Sequence, residues 1–229
     1  MEAIILAGGF GTRLREVVPN LPKPMAPVAG KPFLEILLRS LALKGFGRVV
    51  LALGFMAEKI SGFFGKRFAG MELVYVVEAQ PLGTGGAVRL ALSSCQQSHV
   101  YVFNGDTFLD LEADAIERLW QHRHHPIIVG RKVSDTARYG RLLATDGRVT
   151  GFTEKGVTGP GLINAGCYVF DRCQLDGFAL NQPFSLESDF LVNAVQQMPV
   201  DLYVTEGLFI DIGIPDDYSR AQTLLMARA

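Results

Sequence analysis

The apolar run Ala3-Ile4-Ile5-Leu6-Ala7 ends abruptly in Gly8-Gly9-Phe10-Gly11-Thr12-Arg13, and Lys23 follows a short loop later between Pro22 and Pro24. Glycines at the end of a strand let backbone N–H groups approach an anion closely, and two fixed cations just behind them suit the phosphates of a nucleoside triphosphate. The spacing excludes two common phosphate loops: there is no G-x-x-x-x-G-K-[ST], and the glycines lack the G-x-G-x-x-G order of a dinucleotide-binding turn. Taken alone, the glycines also fit a tight strand-to-helix connection, and Lys23 also fits an exposed loop lysine.

Two carboxylates stand at comparable places. Asp106 follows the apolar run Val100–Phe103 within Asn104-Gly105-Asp106, and Asp211 ends Phe209-Ile210-Asp211. Carboxylates from distant parts of a chain, each at a strand end, suit an octahedral Mg2+ whose other ligands are water and phosphate oxygens. Each also has a purely structural reading, Asp106 as a turn residue and Asp211 as a cap on the loop before Pro215.

The elements that must position these groups alternate in type. Ala3–Ala7, Val49–Leu53, Leu73–Val77 and Val100–Phe103 are apolar and rich in β-branched residues, which predicts strands, whereas Phe33–Lys44, Phe55–Phe64 and Thr84–Ser93 carry apolar residues at helical spacing. Such alternation predicts an α/β fold, with a mostly parallel, Rossmann-like sheet covered by helices on both faces. In that architecture ligands sit at the carboxyl ends of the strands, where Gly8, Glu78 and Asp106 all fall.

The second half changes character. Arg141–Ala144 and Val149–Thr153 flank Asp146-Gly147, a strong hairpin signal. Together with Ile127–Arg131, Gly161–Phe170 and Val200–Thr205, the hairpin is expected to form a smaller β-rich lid for a second substrate. A closing helix over Asp216–Met226 should turn Tyr218, Ala221, Leu224 and Leu225 inward. The whole chain, 1–229, reads as one domain with a nucleotide-binding part over about 1–110 and a second-substrate part over about 111–229.

Bulk properties narrow the function classes. With 229 residues, 48% hydrophobic and 20% charged, the chain can bury a sizeable core, and its net charge of −1 gives no electrostatic case for nucleic acid. Its apolar runs are too short to span a bilayer, so no membrane partner and a cytoplasmic location are expected. Cys95, Cys167 and Cys173 lack metal-ligand spacing and read as buried, reduced thiols, and His99, His122, His124 and His125 as solvated surface residues.

In order along the chain, GGFGTRL, PKP, Pro81-Leu82-Gly83-Thr84-Gly85-Gly86-Ala87, Asn104-Gly105-Asp106, Glu154-Lys155, Asn164-Ala165-Gly166 and Asp211-Ile212-Gly213-Ile214-Pro215 resemble the sugar-1-phosphate nucleotidylyltransferases. The stretches Arg15–Val18 and Lys31–Glu35 are most similar to the D-glycero-α-D-manno-heptose 1-phosphate guanylyltransferase subgroup. The resemblance implies catalysis by Arg13, Lys23 and Asp106, with Mg2+ on Asp106 and Asp211. It implies nucleotide contacts from Leu6, Ala7, Gly8, Gly9, Gly11, Thr12, Arg13, Glu78, Pro81, Gly83, Thr84, Asn104 and Asp106. It further implies sugar-phosphate contacts from Gly140, Glu154, Lys155 and Asn164. An isolated Glu-Lys pair is more often a surface feature, and it is the order of Glu154-Lys155 after the hairpin that favours the site reading.

Glu78 bears on the base. Thymidylyl- and uridylyltransferases of the family usually carry an amide there, and guanine presents two adjacent donors, N1–H and the N2 amino group, that one carboxylate can accept from at once. Uracil and thymine offer a single ring N–H between two carbonyls, which suits an amide better. The expected partners are therefore GTP and a sugar 1-phosphate, in a chain compatible with a homodimer. The alternative of a loop glutamate in solvent, with backbone groups of Gly8, Gly9 and Gly83 reading the base, remains. Two departures from the hexose enzymes, Glu16-Val17-Val18 in place of Pro-Leu-Thr and no arginine in Pro183–Asp189, count against plain glucose or mannose 1-phosphate. The rival readings are mannose 1-phosphate with GTP, another sugar with UTP or dTTP, and a catalytically silent nucleotide-sugar sensor on the same fold.

Overall fold

The computed structural model describes residues 1–9, 14 and 18–228. The chain runs β1 (Glu2–Leu6), β2 (Pro27–Val28), β3 (Lys31–Pro32), α1 (Phe33–Leu43), β4 (Arg48–Leu53), α2 (Ala57–Phe64), β5 (Arg67–Phe68), β6 (Met71–Val77), α3 (Gly83–Leu92), β7 (His99–Asn104) and β8 (Thr107–Leu109). It continues through α4 (Ala113–Arg123), β9 (Ile127–Val133), β10 (Leu142–Thr145), β11 (Arg148–Phe152), β12 (Gly161–Asp171), α5 (Val192–Gln197), β13 (Asp201–Thr205), β14 (Phe209–Asp211) and α6 (Pro215–Leu224).

A ten-stranded sheet carries the fold, ordered β10-β11-β13-β9-β12-β7-β1-β4-β6-β5. Its central run β7-β1-β4-β6 is parallel, with Ile4 level with Val50 and Val102. Alternate residues face opposite sides, as the two-residue period of a strand requires. Ala3, Ile5, Leu51 and Phe103 pack beneath α1, α2 and α4, while Ile4, Val50, Ala52 and Val102 pack beneath α3 and α5. Covering both faces explains why these strands read as continuous apolar runs.

The strands expected to form a separate lid instead extend this sheet. β12 is long and apolar enough to pair antiparallel with β7 on one side and β9 on the other, so β9, β13 and the hairpin β10–β11 continue in the same sheet. The hairpin turn itself is as read, with Asp146 at φ 51° and Gly147 at φ 74°. In α6 the inward residues are Tyr218, Ala221 and Leu225, but Leu224 is 41% exposed; the helix starts at Pro215 and its buried face holds Asp217 instead.

Two further expectations are corrected. His99 is not a surface residue: its ring stacks on Trp120 at 5.0 Å, and Nε2 lies 3.0 Å from Glu117. Cys95 and Cys167 are buried as expected, and burial pushes the Cys95 thiol up to about 12, but Cys173 is exposed.

The start of β1 is held by a buried acid. Glu2, 1% exposed, accepts from the backbone N–H groups of Gln96 and Gln97 at 2.8 Å each and pairs with Arg48, which donates to Ser94 O at 2.9 Å. Removing it strands two backbone donors and leaves Arg48 with Glu72 and Ser94 O alone. Glu2→Ala is therefore expected to lower unfolding stability by about 3 kcal/mol, read as a reduced urea midpoint at unchanged m value.

Candidate active site

The parallel strands all end at one edge, and the loops beyond them enclose a cleft of about 580 Å3. Leu6, Ala7, Gly8 and Gly9 form its floor after β1, with Glu78, Pro81, Gly83 and Thr84 after β6 on one wall and Asn104 and Asp106 after β7 on the other. Lys23 reaches in from a separate loop. β6 and β7 are separated by β4 and β1, so Glu78 and Asp106 stand about 14 Å apart across the sheet edge, at roughly 4.8 Å per strand. Gly11, Thr12 and Arg13, expected to grip the phosphates, lie outside the described residues, as do Arg15 to Val17 of the subgroup-like stretch.

The charged end of the cleft is built by strand register. Gly105 donates to Leu6 O at 2.9 Å, and a Cβ at Gly105 would lie 2.4 Å from that oxygen, so only glycine lets this turn fold flat against β1. The turn delivers Asp106 to the start of β8. β14 pairs antiparallel with β8, with Asp211 opposite Thr107, and Ile212 N–H donates to Asp106 O at 2.9 Å. Two carboxylates separated by a hundred residues of chain thereby meet. Pro22 and Pro24 stiffen the turn from which the Lys23 ammonium pairs with Asp106.

Asp211 accepts from Gly213 N–H at 2.6 Å. Its carboxyl is held above the usual range, first by burial and then by the neighbouring charge of Asp106, with Lys23 opposing both. Among the described residues, Lys23 and Arg138 offset this rise only in part. Among the described residues no group of three or more His, Cys, Asp or Glu side chains could hold a metal, so an ion bound here would take two carboxylates and complete its shell from elsewhere.

Glu78 is the charged residue of the opposite wall, among Ala79, Gln80, Pro81, Gly83 and Thr84. Its backbone N–H extends the sheet to Leu53 O at 2.8 Å, and its Oε2 accepts from Leu82 N–H at 2.8 Å, closing the loop over residues 78–82. Oε1 faces Gly8. Half-burial raises the Glu78 carboxyl, and the Leu82 hydrogen bond offsets part of that rise. The side chain is therefore anchored and aimed into the cleft, not a loop glutamate free in solvent.

Beyond β7, a bulge in β12 positions Asn164 behind the cleft wall, next to Gly166. The register with β9 shifts between Asn164 and Cys167, and Asn164 Oδ1 accepts from Gly166 N–H at 3.0 Å. Gly166, at φ 71°, lies against Asn104, whose Nδ2 would be 2.7 Å from an added Cβ. Glu154 and Lys155 sit on an exposed turn and, like Asn164 and Gly140, do not line the cleft. Gly140 packs against Thr153 O, tying that turn to the loop over residues 134–140.

This arrangement has a counterpart in known proteins. A family described as nucleotidyl transferase matches residues 2–228. The chain belongs to the nucleotidyl transferase family. It is 40% identical over 223 residues, 97% of both chains, to a D-glycero-alpha-D-manno-heptose 1-phosphate guanylyltransferase from Aneurinibacillus thermoaerophilus. It is 37% identical, over 95% of this chain and 97% of the other, to the protein of the same name from Campylobacter jejuni. The crystal structure of HddC from Yersinia pseudotuberculosis complexed with GMP-PN superposes with a TM-score of 0.87 at 36% identity, covering 98% of this chain and 99% of that one.

In this nucleotidyl transferase, the site also includes groups that the sequence did not single out. Gly54, Phe55 and Gln80 line the cleft, and Gly213 stands against Lys23. Outside the cleft lining, Arg138 and Arg220 both pair with Asp217, which is 4% exposed; the Arg138 guanidinium stacks over Tyr139 at 5.4 Å and its charge acts on Asp211. Only their neighbourhood was legible, Arg138 beside Tyr139-Gly140 and Asp217 two residues past Pro215.

The turn geometry gives a direct test. Gly105→Ala forces the turn away from Leu6 O and should cost about 1 to 3 kcal/mol, measured as a lowered melting temperature, with the displacement of Asp106 visible in a crystal structure of the variant.

Proposed function

We propose that the chain joins GTP to D-glycero-α-D-manno-heptose 1-phosphate, giving GDP-heptose and pyrophosphate. The observation that carries the reading is the single cleft with Lys23, Asp106 and Asp211 at one end and the anchored carboxylate of Glu78 on the opposite wall. The names of the relatives support the sugar and the base, and the nucleotide analogue held by HddC supports the cleft as the nucleotide site.

Glu78 accepts hydrogen bonds from guanine N1–H and the N2 amino group. Backbone N–H groups after β1 hold the triphosphate, with Arg13 clamping its outer phosphates through two parallel hydrogen bonds. A phosphate oxygen of the sugar then attacks the α-phosphorus, one P–O bond forms, and the α–β anhydride breaks to release pyrophosphate. Both reactants are anions, and the attacking phosphate is already ionised at neutral pH, so the step needs positioning and charge cancellation more than an acid or base. Lys23 sits where incoming phosphate and α-phosphate meet and cancels their charge. Because its ammonium is ion-paired with Asp106, it acts as a cation and not as a nucleophile.

The donor set fits Mg2+: two hard carboxylate oxygens, Asp106 and Asp211, close enough that the charge of Asp106 raises the cost of ionising Asp211, in a cleft that receives phosphate. When bound, the ion supplies charge neutralisation to the phosphates. Residues 1–110 then hold the nucleotide, and the β12 side with Asn164, together with the loop bearing Gly140, Glu154 and Lys155, receives the sugar phosphate. Among the described residues no helix is long and apolar enough to cross a membrane, and a cytoplasmic location follows from the supply of GTP.

Pyrophosphate release with Mg2+ should appear with GTP and the heptose 1-phosphate, and be weak with mannose 1-phosphate or with UTP, dTTP, ATP and CTP. Turnover favouring UTP would overturn the role of Glu78, and silence with every pair would favour the sensor. Lys23→Ala should lower kcat about 10^2- to 10^3-fold in a folded protein. Glu78→Gln should erode the preference for GTP over UTP. Since only the ionised carboxylate accepts both guanine donors, and its pKa is raised, KM for GTP should climb as pH falls through that raised value, and this rise should vanish in Glu78→Gln.

A further inference from the structure

The segment after Pro183 does more than close the fold. Residues Leu186–Leu191 form a π-helical turn, a rare conformation often found at functional sites. Its start is fixed twice: Ser185 Oγ accepts from Ser188 N–H at 3.2 Å, and Leu186 N–H donates to Thr84 Oγ1 at 2.9 Å, so the turn is tied to the wall of the nucleotide cleft. Glu187 is the next residue and is exposed.

On its other side Glu187 meets the β12 bulge. Asn164 Nδ2 donates to Glu187 Oε1 at 3.2 Å and to Tyr168 Oη at 2.7 Å, and the Tyr168 hydroxyl, fully buried, donates to the same Oε1 at 3.3 Å. Oε1 is therefore held by two donors, while Oε2 has no hydrogen-bond donor among the described residues. An exposed glutamate on a helix does not ordinarily adopt one fixed orientation; this one is oriented by a buried tyrosine and by an amide whose own oxygen is committed to Gly166. Gly166 in turn rests on Asn104 in the cleft wall.

We propose that Glu187 is a specificity-determining residue whose free carboxylate oxygen accepts hydrogen bonds from hydroxyl groups of the sugar 1-phosphate. A carboxylate here repels phosphate and attracts donors, so it orders the second substrate with its hydroxyl-bearing ring toward the turn and its phosphate toward Lys23. The inference rests on the second substrate being a sugar 1-phosphate.

Steady-state kinetics with GTP, Mg2+ and D-glycero-α-D-manno-heptose 1-phosphate, repeated with mannose 1-phosphate, test it. Glu187→Ala should raise KM for the sugar phosphate about tenfold or more, as expected for a lost hydrogen bond to a charged group, and leave KM for GTP unchanged. Glu187→Gln, which retains an acceptor oxygen, should show a smaller rise and should carry the test if the alanine variant does not fold. Tyr168→Phe, which frees the carboxylate from one of its two donors without removing it, should raise the sugar KM by less than Glu187→Ala. An unchanged sugar KM in the folded glutamate variants, or equal rises for both substrates, overturns the inference while wild-type turnover stands. Wild-type silence with every sugar phosphate overturns the underlying reading, and this one with it.

Discussion

Two carboxylates at one sheet edge repel each other, and the rest of the site is arranged around that repulsion. β8 and β14 pair so that Asp106 and Asp211 meet, at the cost of holding Asp211 above its usual range by burial and by the charge beside it. The stiff Pro22-Lys23-Pro24 turn delivers one ammonium to the pair. Among the described residues Lys23 and, after it, Arg138 oppose this charge without cancelling it, since Asp211 stays above its usual range, and that is an electrostatic condition for taking up a divalent cation. A site of this type gains its rate effect from charges already in place before the reactants arrive.

The second dependence is between the two halves of the cleft. Phe184 O accepts from the backbone N–H groups of Gly85 and Gly86 at 3.0 and 3.3 Å, and a Cβ at Gly85 would fall 2.2 Å from the Phe184 ring. The start of α3, which walls the cleft, is thus built directly onto the chain that carries Glu187. Phe184 is itself stacked on Phe178 at 4.0 Å between centroids, which gives this contact a rigid backing.

Much of this was legible in the sequence because the chemistry of the parallel half is local. Gly8, Glu78 and Asp106 each follow an apolar run, and the C-terminal edge of a parallel sheet collects whatever follows its strands. What was not legible depends on long-range pairing. Nothing in the composition of β12 says whether it starts a separate lid or extends the sheet; that follows from pairing with both β7 and β9. Gly85 and Gly86 belong to the family-like run Pro81–Ala87, and their absence of side chains serves packing against residues about a hundred positions away. Glu187 carries no local signal at all, since its orientation is set by Asn164 and Tyr168. Leu224 and Leu225 show the finer limit, where one residue of helical phase decides which leucine is inside.

The central claim is that Lys23 acts through its charge in a direct transfer, with no guanylyl group ever attached to the protein. Exchange of radiolabelled pyrophosphate into GTP, measured with and without the sugar 1-phosphate, tests this most directly. Label should enter GTP only when the sugar phosphate is present, through reversal of the complete reaction. Exchange in its absence would require a covalent guanylyl-enzyme, with Lys23 the obvious nucleophile, and would contradict the account.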